Sequence, residues 1–163
     1  MKNRDPRVLS ITQGAVIAAL YVALTLIFAP ISFGPVQVRI AEALCILPMF
    51  TPAAVPGLFL GCLLGNLLGG AMLLDVIFGS IATLIGAYVG RLLKDRRWLV
   101  PIPSIVSNAL IIPFILRYVY GIGLPIPLLC LYIAIGEFLG SYVLGQVLAQ
   151  FLIPRKNFFQ PKK

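Results

Sequence analysis

From Phe33 to Ser80 the chain reads FGPVQVRIAEALCILPMFTPAAVPGLFLGCLLGNLLGGAMLLDVIFGS. Nearly every residue in this stretch is apolar or small, yet Arg39, Glu42, Asn66 and Asp75 stand inside it. One such side chain at the middle of a bilayer costs roughly 2.5–3.5 kcal/mol on insertion scales. Three charged groups and an amide in one apolar run therefore predict a polar pocket between helices, holding a small polar solute.

Composition makes the surroundings hydrocarbon. The 163 residues are 60% hydrophobic and 11% charged, with a mean hydropathy of +1.03. Soluble domains carry about 25% charged residues. The expectation is an all-α integral membrane protein, a single transmembrane domain over residues 1–163 with basic cytoplasmic tails at 1–8 and 154–163. Thirteen Lys+Arg against five Asp+Glu give a net charge of +8. Such a balance also suits a nucleic-acid partner, but the positions of the charges argue against one. Lys2, Arg4 and Arg7 cluster at the start, Arg91, Lys94, Arg96 and Arg97 share a short linker, and Arg155, Lys156, Lys162 and Lys163 close the chain. Basic residues on short flanks of apolar segments follow the positive-inside pattern. Arg39 and Arg117 fall elsewhere.

With no His in the chain, the commonest general base and metal ligand is missing. A Ser–His dyad or His-metal site is excluded, and the acids are scattered in sequence, so no catalytic residue, cofactor or metal is expected. No GxxxxGK[ST] segment occurs, so energy for any transport comes from partners. Cys45, Cys62 and Cys130 are isolated in apolar runs and read as small packing residues. The charged start followed by an apolar run from Ile11 to Ala29 is too long for a signal-peptide core and reads as a retained span.

Six spans are predicted, with both ends inside. The first runs about Leu9–Ala29; Gly14, Ala15, Ala18, Ala19 and Ala23 give it a small-residue face for close helix approach, from within the chain or from another protein. Pro30–Pro35 is an outer loop, and Val36–Ile40 alternates as a short extended piece. A second helix, about Arg39–Phe50, is too short to cross about 30 Å alone. Its Arg39 and Glu42, three apart, either neutralise each other or orient a ligand at the outer mouth. After the inner turn Thr51–Pro56, helix three (about Ala54–Gly69) carries a glycine ladder at 57, 61, 65 and 69 with Asn66 beside it. Asp75 opens helix four (about Asp75–Leu93), as a helix cap or a ligand group. Helix five, about Val100–Tyr120, holds Asn108, Pro113 and, near its outer end, Arg117. Helix six, about Pro127–Leu152, places Glu137 roughly 15 Å below its outer end, flanked by Gly136 and Gly140. A carboxyl group at that depth must be paired, protonated or ligand-facing. No convincing repeat relates the two halves.

The run FGPVQVRIAEAL…LPMFTPAAVPGLFLGCLLGNLLGG…LDVIFGSIATLIGA, with GE in the last helix, resembles the queuosine-precursor transporter family, QueT, substrate-binding (S) components of energy-coupling factor (ECF) importers. The resemblance covers most of the chain and is most specific over Val38–Ala87. It implies a six-helix S-component bundle in the bacterial cytoplasmic membrane. It further implies that one solute is bound near the outer surface and that the partners are a membrane coupling subunit and two ATPase subunits. Ala15 and Ala19, with Ala23 one step further, fit the spacing of the face by which related S components meet the coupling subunit. The implied cargo is a 7-deazaguanine: the 7-cyano or 7-aminomethyl compound, or queuine. Glu42, Asn66, Asp75 and Glu137 carry over as substrate-binding residues, Arg39 and Arg117 beside them; Asn108 joins the candidates by its position in mid-membrane.

The residue chemistry suits such a cargo. A deazaguanine presents ring N–H and exocyclic NH₂ donors along one edge, with a carbonyl acceptor beside them. A carboxylate, Glu137 or Glu42, accepts both donors in a charge-assisted pair. Arg39 or Asn66 donates to the carbonyl, a cationic aminomethyl group seeks a second carboxylate such as Asp75, and Phe33, Tyr118 or Tyr120 stacks on the ring. A self-sufficient carrier, or an S component for another vitamin-like solute, stays open at this point.

Overall fold

The computed structural model describes residues 5–33 and 37–159, the side chains of 157 and 158 aside. The start of the predicted extended piece at Val36, the Gly34 and Pro35 end of the outer loop, and the basic residues Lys2, Arg4, Lys162 and Lys163 lie outside the described residues. The described residues are helical and contain no strand. Helix α1 is Pro6–Ile27 and α2 is a single turn, Ala29–Ser32. A 3₁₀ helix, Ile40–Met49, precedes α3 (Ala54–Leu68), α4 (Leu73–Leu92) and α5 (Ile102–Tyr118). Then α6 (Ile126–Glu137) passes through a π-helical segment (Phe138–Leu144) into α7 (Gly145–Leu152) and a final 3₁₀ stretch, Ile153–Phe159. Among the described residues, three helices are long and apolar enough to cross a membrane: Pro6–Ile27, Leu73–Leu92 and the continuous Ile126–Lys156. The apolar helices 40–49, 54–68 and 102–118 are shorter.

Local chemistry sets the helix starts. Asp5 caps α1 by accepting from the Arg7 N–H at 2.9 Å, and Pro6 takes the first helical position, where its missing N–H is no loss. The helix thus begins ahead of the predicted Leu9. Pro30, expected in a loop, instead sits within the short turn α2. Asp75 is not a cap: α4 begins at Leu73, and Asp75 is buried in its first turn.

The α3 glycine ladder packs on α1, running parallel to it. A Cβ on Gly57 would meet the Gly14 carbonyl, on Gly61 the Tyr21 Cβ at 2.6 Å, on Gly65 Thr25, and on Gly69 the Phe33 ring. Without side chains on α3 the two backbones close up, and dispersion then acts over the whole contact. Helix α4 returns antiparallel to α3, with Thr83 against Cys62 and Gly79 against Asn66. Helix α5 is antiparallel to α4, with Gly86 against Ser104 and Gly90 against Val100. Helix α6 then returns along α5 through Ile112, Ile115, Leu116, Leu129 and Ile133. The linkers 50–53 and 93–101 therefore share one end of the bundle with the start of α1 and the end of α7. Segments 28–33, 37–39, 69–72 and 119–125 share the other.

The predicted α-helix over Arg39–Phe50 is a 3₁₀ helix. Ten residues at about 2.0 Å each span about 20 Å, well beyond the usual three or four. Arg39 itself is extended, with φ −90° and ψ 102°. Residues 41–48 are all buried, so this element is the axis about which the others pack, and the tighter helix is the thinner rod. Carbonyls of the rod and of the extended run just before it lie on a glycine track. A Cβ at Gly136 would strike the Gln37 carbonyl oxygen, one at Gly140 that of Arg39, and one at Gly145 would lie 3.4 Å from that of Ala43. The predicted continuous sixth α-helix is interrupted here. The wider π turn lengthens the glycine step from four residues to five, and so keeps Gly145 on the rod.

Candidate functional site

Into this packed interior the chain brings Arg39, Glu42, Asn66, Asp75, Asn108 and Glu137, each at most 3% exposed. They come from the extended run before the 3₁₀ rod, the rod itself, and α3, α4, α5 and α6. They divide by their partners.

Glu42 is fully engaged. Its Oε1 accepts from the Tyr21 hydroxyl of α1. Its Oε2 accepts from the Cys45 thiol at 2.8 Å and from the Ser104 hydroxyl of α5 at 3.2 Å. Three donors from the rod and two flanking helices meet one carboxyl group, which satisfies a buried polar group in full. Arg39 has a separate set. Its Nη2 donates to Asn66 Oδ1 at 3.0 Å, its Nη1 points at Cys62 Sγ at 3.9 Å, and the guanidinium lies 5.8 Å from the Phe33 ring centroid, within cation–π range. Asn66 Nδ2 and Thr83 Oγ1 also point at Cys62 Sγ, at 3.5 and 3.3 Å. Arg39 and Glu42 thus find different partners, because Arg39 lies in extended backbone ahead of the rod. Cys45 and Cys62, read as apolar packing, are corrected to members of the polar network; Cys130 is half-buried.

The second group is unfinished. Among the described residues, buried atoms without a hydrogen-bond partner are Asp75 Oδ1, both amide atoms of Asn108, Glu137 Oε2, Arg39 Nε, Ser141 Oγ and Thr25 Oγ1. Glu137 lies beside Asn108. Asp75 is half engaged: its Oδ2 accepts from the Tyr120 hydroxyl at 2.9 Å, and that hydroxyl accepts from the Met72 N–H at 3.1 Å. Burial, with the Asp75 carboxyl behind it, pushes the Tyr120 phenol up from its ordinary range, which keeps it a neutral donor. Gly79 forms bare helix wall between these groups; a Cβ there would lie 3.2 Å from Asn66 Nδ2, 3.4 Å from Asp75 Oδ1 and 3.7 Å from Ile112 Cδ1. A buried amide, two carboxyl oxygens and a guanidinium N–H left open in one bundle are expensive unless a guest completes them.

Other expected residues fall elsewhere. Arg117 is exposed and donates to the carbonyls of Ile122 at 3.2 Å and Leu124 at 3.5 Å; it braces the 119–125 loop. Tyr118 is 72% exposed, on the outside of the bundle. Ala15, Ala19 and Ala23 form an exposed line on α1, while Gly14 and Ala18, from the same small-residue set, are half-buried against α3. Two large cavities, about 520 Å³ between α4 and α5 and about 310 Å³ between α1 and the last helix, have apolar walls and lie away from the polar groups. Sequence reasoning passed over Tyr21, Thr25, Ser104 and Ser141, and placed Thr83 only in a small-residue stripe with Gly79, Gly86 and Gly90. Each is a hydroxyl within an apolar helix, a type too common to single out without knowing which helices meet.

A family model described as the QueT transporter matches residues 11–154. The chain is 38% identical over 84 residues to the queuosine precursor transporter QueT of Lactococcus lactis subsp. cremoris (strain MG1363). That match covers 50% of this chain and 49% of the relative, so it spans about half of each. No solved structure matches the chain.

Proposed function

The chain belongs to the QueT transporter family, a family of membrane proteins, and from that premise we propose that it captures a queuosine precursor, a 7-deazaguanine, as the S component of an ECF-type importer. One observation carries the reading: Asp75 Oδ1, Glu137 Oε2, the Asn108 amide and Arg39 Nε are buried together and unpartnered among the described residues. They supply acceptors for the ring N–H and amino donors of the guest, and donors for its carbonyl. Glu137 accepts from the guanine-like edge, Asn108 and Arg39 donate, and Asp75 stands at the end of the bundle that carries Tyr120. Glu42 is satisfied by its own three protein donors and holds the rod to α1 and α5. Arg117 braces the loop beside the site.

Three buried carboxyl groups, Glu42, Asp75 and Glu137, accompany one buried guanidinium. A cationic guest would find carboxyl groups to compensate it here, and a charge in a low-dielectric interior needs such compensation. The 7-aminomethyl compound is therefore the preferred cargo. The chain spans the membrane six times, the shorter helices 54–68 and 102–118 crossing with the three long ones and the 3₁₀ rod completing the set. Both termini lie on the cytoplasmic side with Arg91, Lys94, Arg155 and Lys156. The exposed Ala15, Ala19 and Ala23 line meets the coupling subunit, and two ATPase subunits drive release. The chain itself performs no reaction.

Affinities of the detergent-purified protein for 7-aminomethyl-7-deazaguanine, the 7-cyano compound, queuine and guanine test this. The aminomethyl compound binds at least tenfold more tightly than guanine. Equal binding of all four, or none, overturns the assignment. Uptake in a host without any ECF module would instead favour a self-sufficient carrier.

A further inference from the structure

We infer that the cavity between α4 and α5 is a binding site for an anionic phospholipid, distinct from the solute site. The two helices meet closely at Gly86 and Gly90, where a Cβ would press on Ser104 and on the Val100 carbonyl. Beside that crossing they leave a groove of about 520 Å³. Ile85, Val89, Val106 and Leu110 form its walls, and Leu93 and Leu99 line it next to the 93–101 linker. Its one polar lining residue, Ser107, spends its hydroxyl on the Ala82 carbonyl at 2.8 Å. The groove therefore offers no hydrogen bond and suits an acyl chain.

Charge at the linker end identifies the headgroup. Leu93 and Leu99 bracket the turn Lys94-Asp95-Arg96-Arg97-Trp98. Lys94 and Arg96 are exposed. Arg97 donates to Gln146 at 2.9 Å and stacks 4.3 Å from the Trp98 ring, and Trp98 is itself 56% exposed, as an interfacial anchor is. Arg91, one turn earlier, is tied to the Pro48 carbonyl at 2.8 Å. Asp95 is the lone acid in the turn, so three cations face outward or sideways against one anion. An apolar slot between two helices that ends on a basic turn matches an anionic lipid in both parts, and basic residues at that level each favour anionic lipid by about 1 kcal/mol. A zwitterionic lipid fills the slot equally well but gains nothing from the turn.

Native mass spectrometry of the full-length protein, titrated with dioleoyl phosphatidylglycerol or dioleoyl phosphatidylcholine, tests the site. Wild type retains the anionic lipid preferentially. The double variant Lys94→Gln/Arg96→Gln loses about thirtyfold of that preference. Arg155→Gln/Lys156→Gln removes the same charge at the same end of the bundle, away from the groove, and changes it by less than threefold. Val106→Trp, which fills the slot, lowers retention of both lipids at least tenfold, and Leu110→Trp does the same should Val106→Trp melt early. Equal retention of the two lipids by wild type marks an ordinary annulus and overturns the proposal. Equal losses from the two double variants, or undiminished retention in a melting-competent Trp variant, also overturn it.

Discussion

Glu42 and Glu137 are the same residue type in equally apolar settings, and exchanging each for Gln should separate a structural role from a binding one. Glu42 receives the Tyr21 hydroxyl on one oxygen and the Cys45 and Ser104 donors on the other. A glutamine retains one acceptor oxygen and turns an NH₂ group toward whichever donors faced the second. At least one buried donor then loses its partner and meets another donor. Such a loss costs about 1–3 kcal/mol for the stranded group, and the bonds that survive weaken as the charge-assisted acceptor becomes neutral. A total near 3 kcal/mol lowers the melting temperature by roughly 6–12 °C for a chain of this size. Glu137 differs: its Oε2 has no partner among the described residues, and its polar neighbour is the Asn108 amide, which a glutamine can still meet, so Gln forfeits little in the unliganded protein. Its melting temperature should move by less than about 3 °C. Affinity for the deazaguanine should fall by about 2–3 kcal/mol, roughly 30- to 150-fold, as two charge-assisted bonds are lost or made neutral. Thermal melting in detergent without ligand, beside equilibrium binding on the same samples, reads both quantities. If Glu42→Gln melts normally yet binds as poorly as Glu137→Gln, the division of the cluster into support and site is wrong. Early melting of Glu137→Gln would show that its carboxyl group is a structural partner after all.

Three further substitutions probe the surroundings. Gly140→Ala drives a methyl group into the Arg39 carbonyl; overpacking of this kind costs about 1–3 kcal/mol, and both the melting temperature and the binding that depends on Arg39 should fall. Gly79→Ala adds a methyl group 3.2 Å from Asn66 Nδ2 and 3.4 Å from Asp75 Oδ1, so affinity should fall at least tenfold with melting nearly unchanged, and unaltered affinity would place the solute away from α4. Ala15→Leu/Ala19→Leu enlarges an exposed line of α1 and should leave solute binding intact while abolishing co-purification with the coupling subunit; a surviving complex would move the docking face elsewhere.

Much of the framework is legible because lipid narrows the choices. An apolar chain in hydrocarbon satisfies its backbone within helices, so the all-helical class follows from composition. The ladder at 57, 61, 65 and 69 signals a close backbone neighbour, and that neighbour is α1. What sequence spacing does not give is the kind of helix. Arg39–Phe50 reads as α-helical because nothing local distinguishes three residues per turn from 3.6. The 3₁₀ geometry goes with burial on every side, a property of the elements packed around it. The π segment did leave a trace. Gly136, Gly140 and Gly145 step by four and then by five, and the fifth residue is the one a π turn inserts.

The site divides along the same line. Buried polar residues in an apolar run announce that something unusual is there, but not whether the protein or a guest completes them. Glu42 finds its donors 21 and 62 residues away, at Tyr21 and Ser104, on helices whose approach is set by Gly61 beside Tyr21 and by Gly86 beside Ser104. The small residues that draw those helices together therefore also decide which carboxyl group is sealed. Where α4 and α5 meet at Gly86, Ser104 is carried onto Glu42; further along the same pair of helices, Asp75 and Asn108 keep unpartnered atoms. Helix packing and the proposed ligand recognition are thus two outcomes of one arrangement: glycine contacts close one level of the bundle with protein donors and leave the next with unpartnered atoms, which in the proposed reading the solute completes.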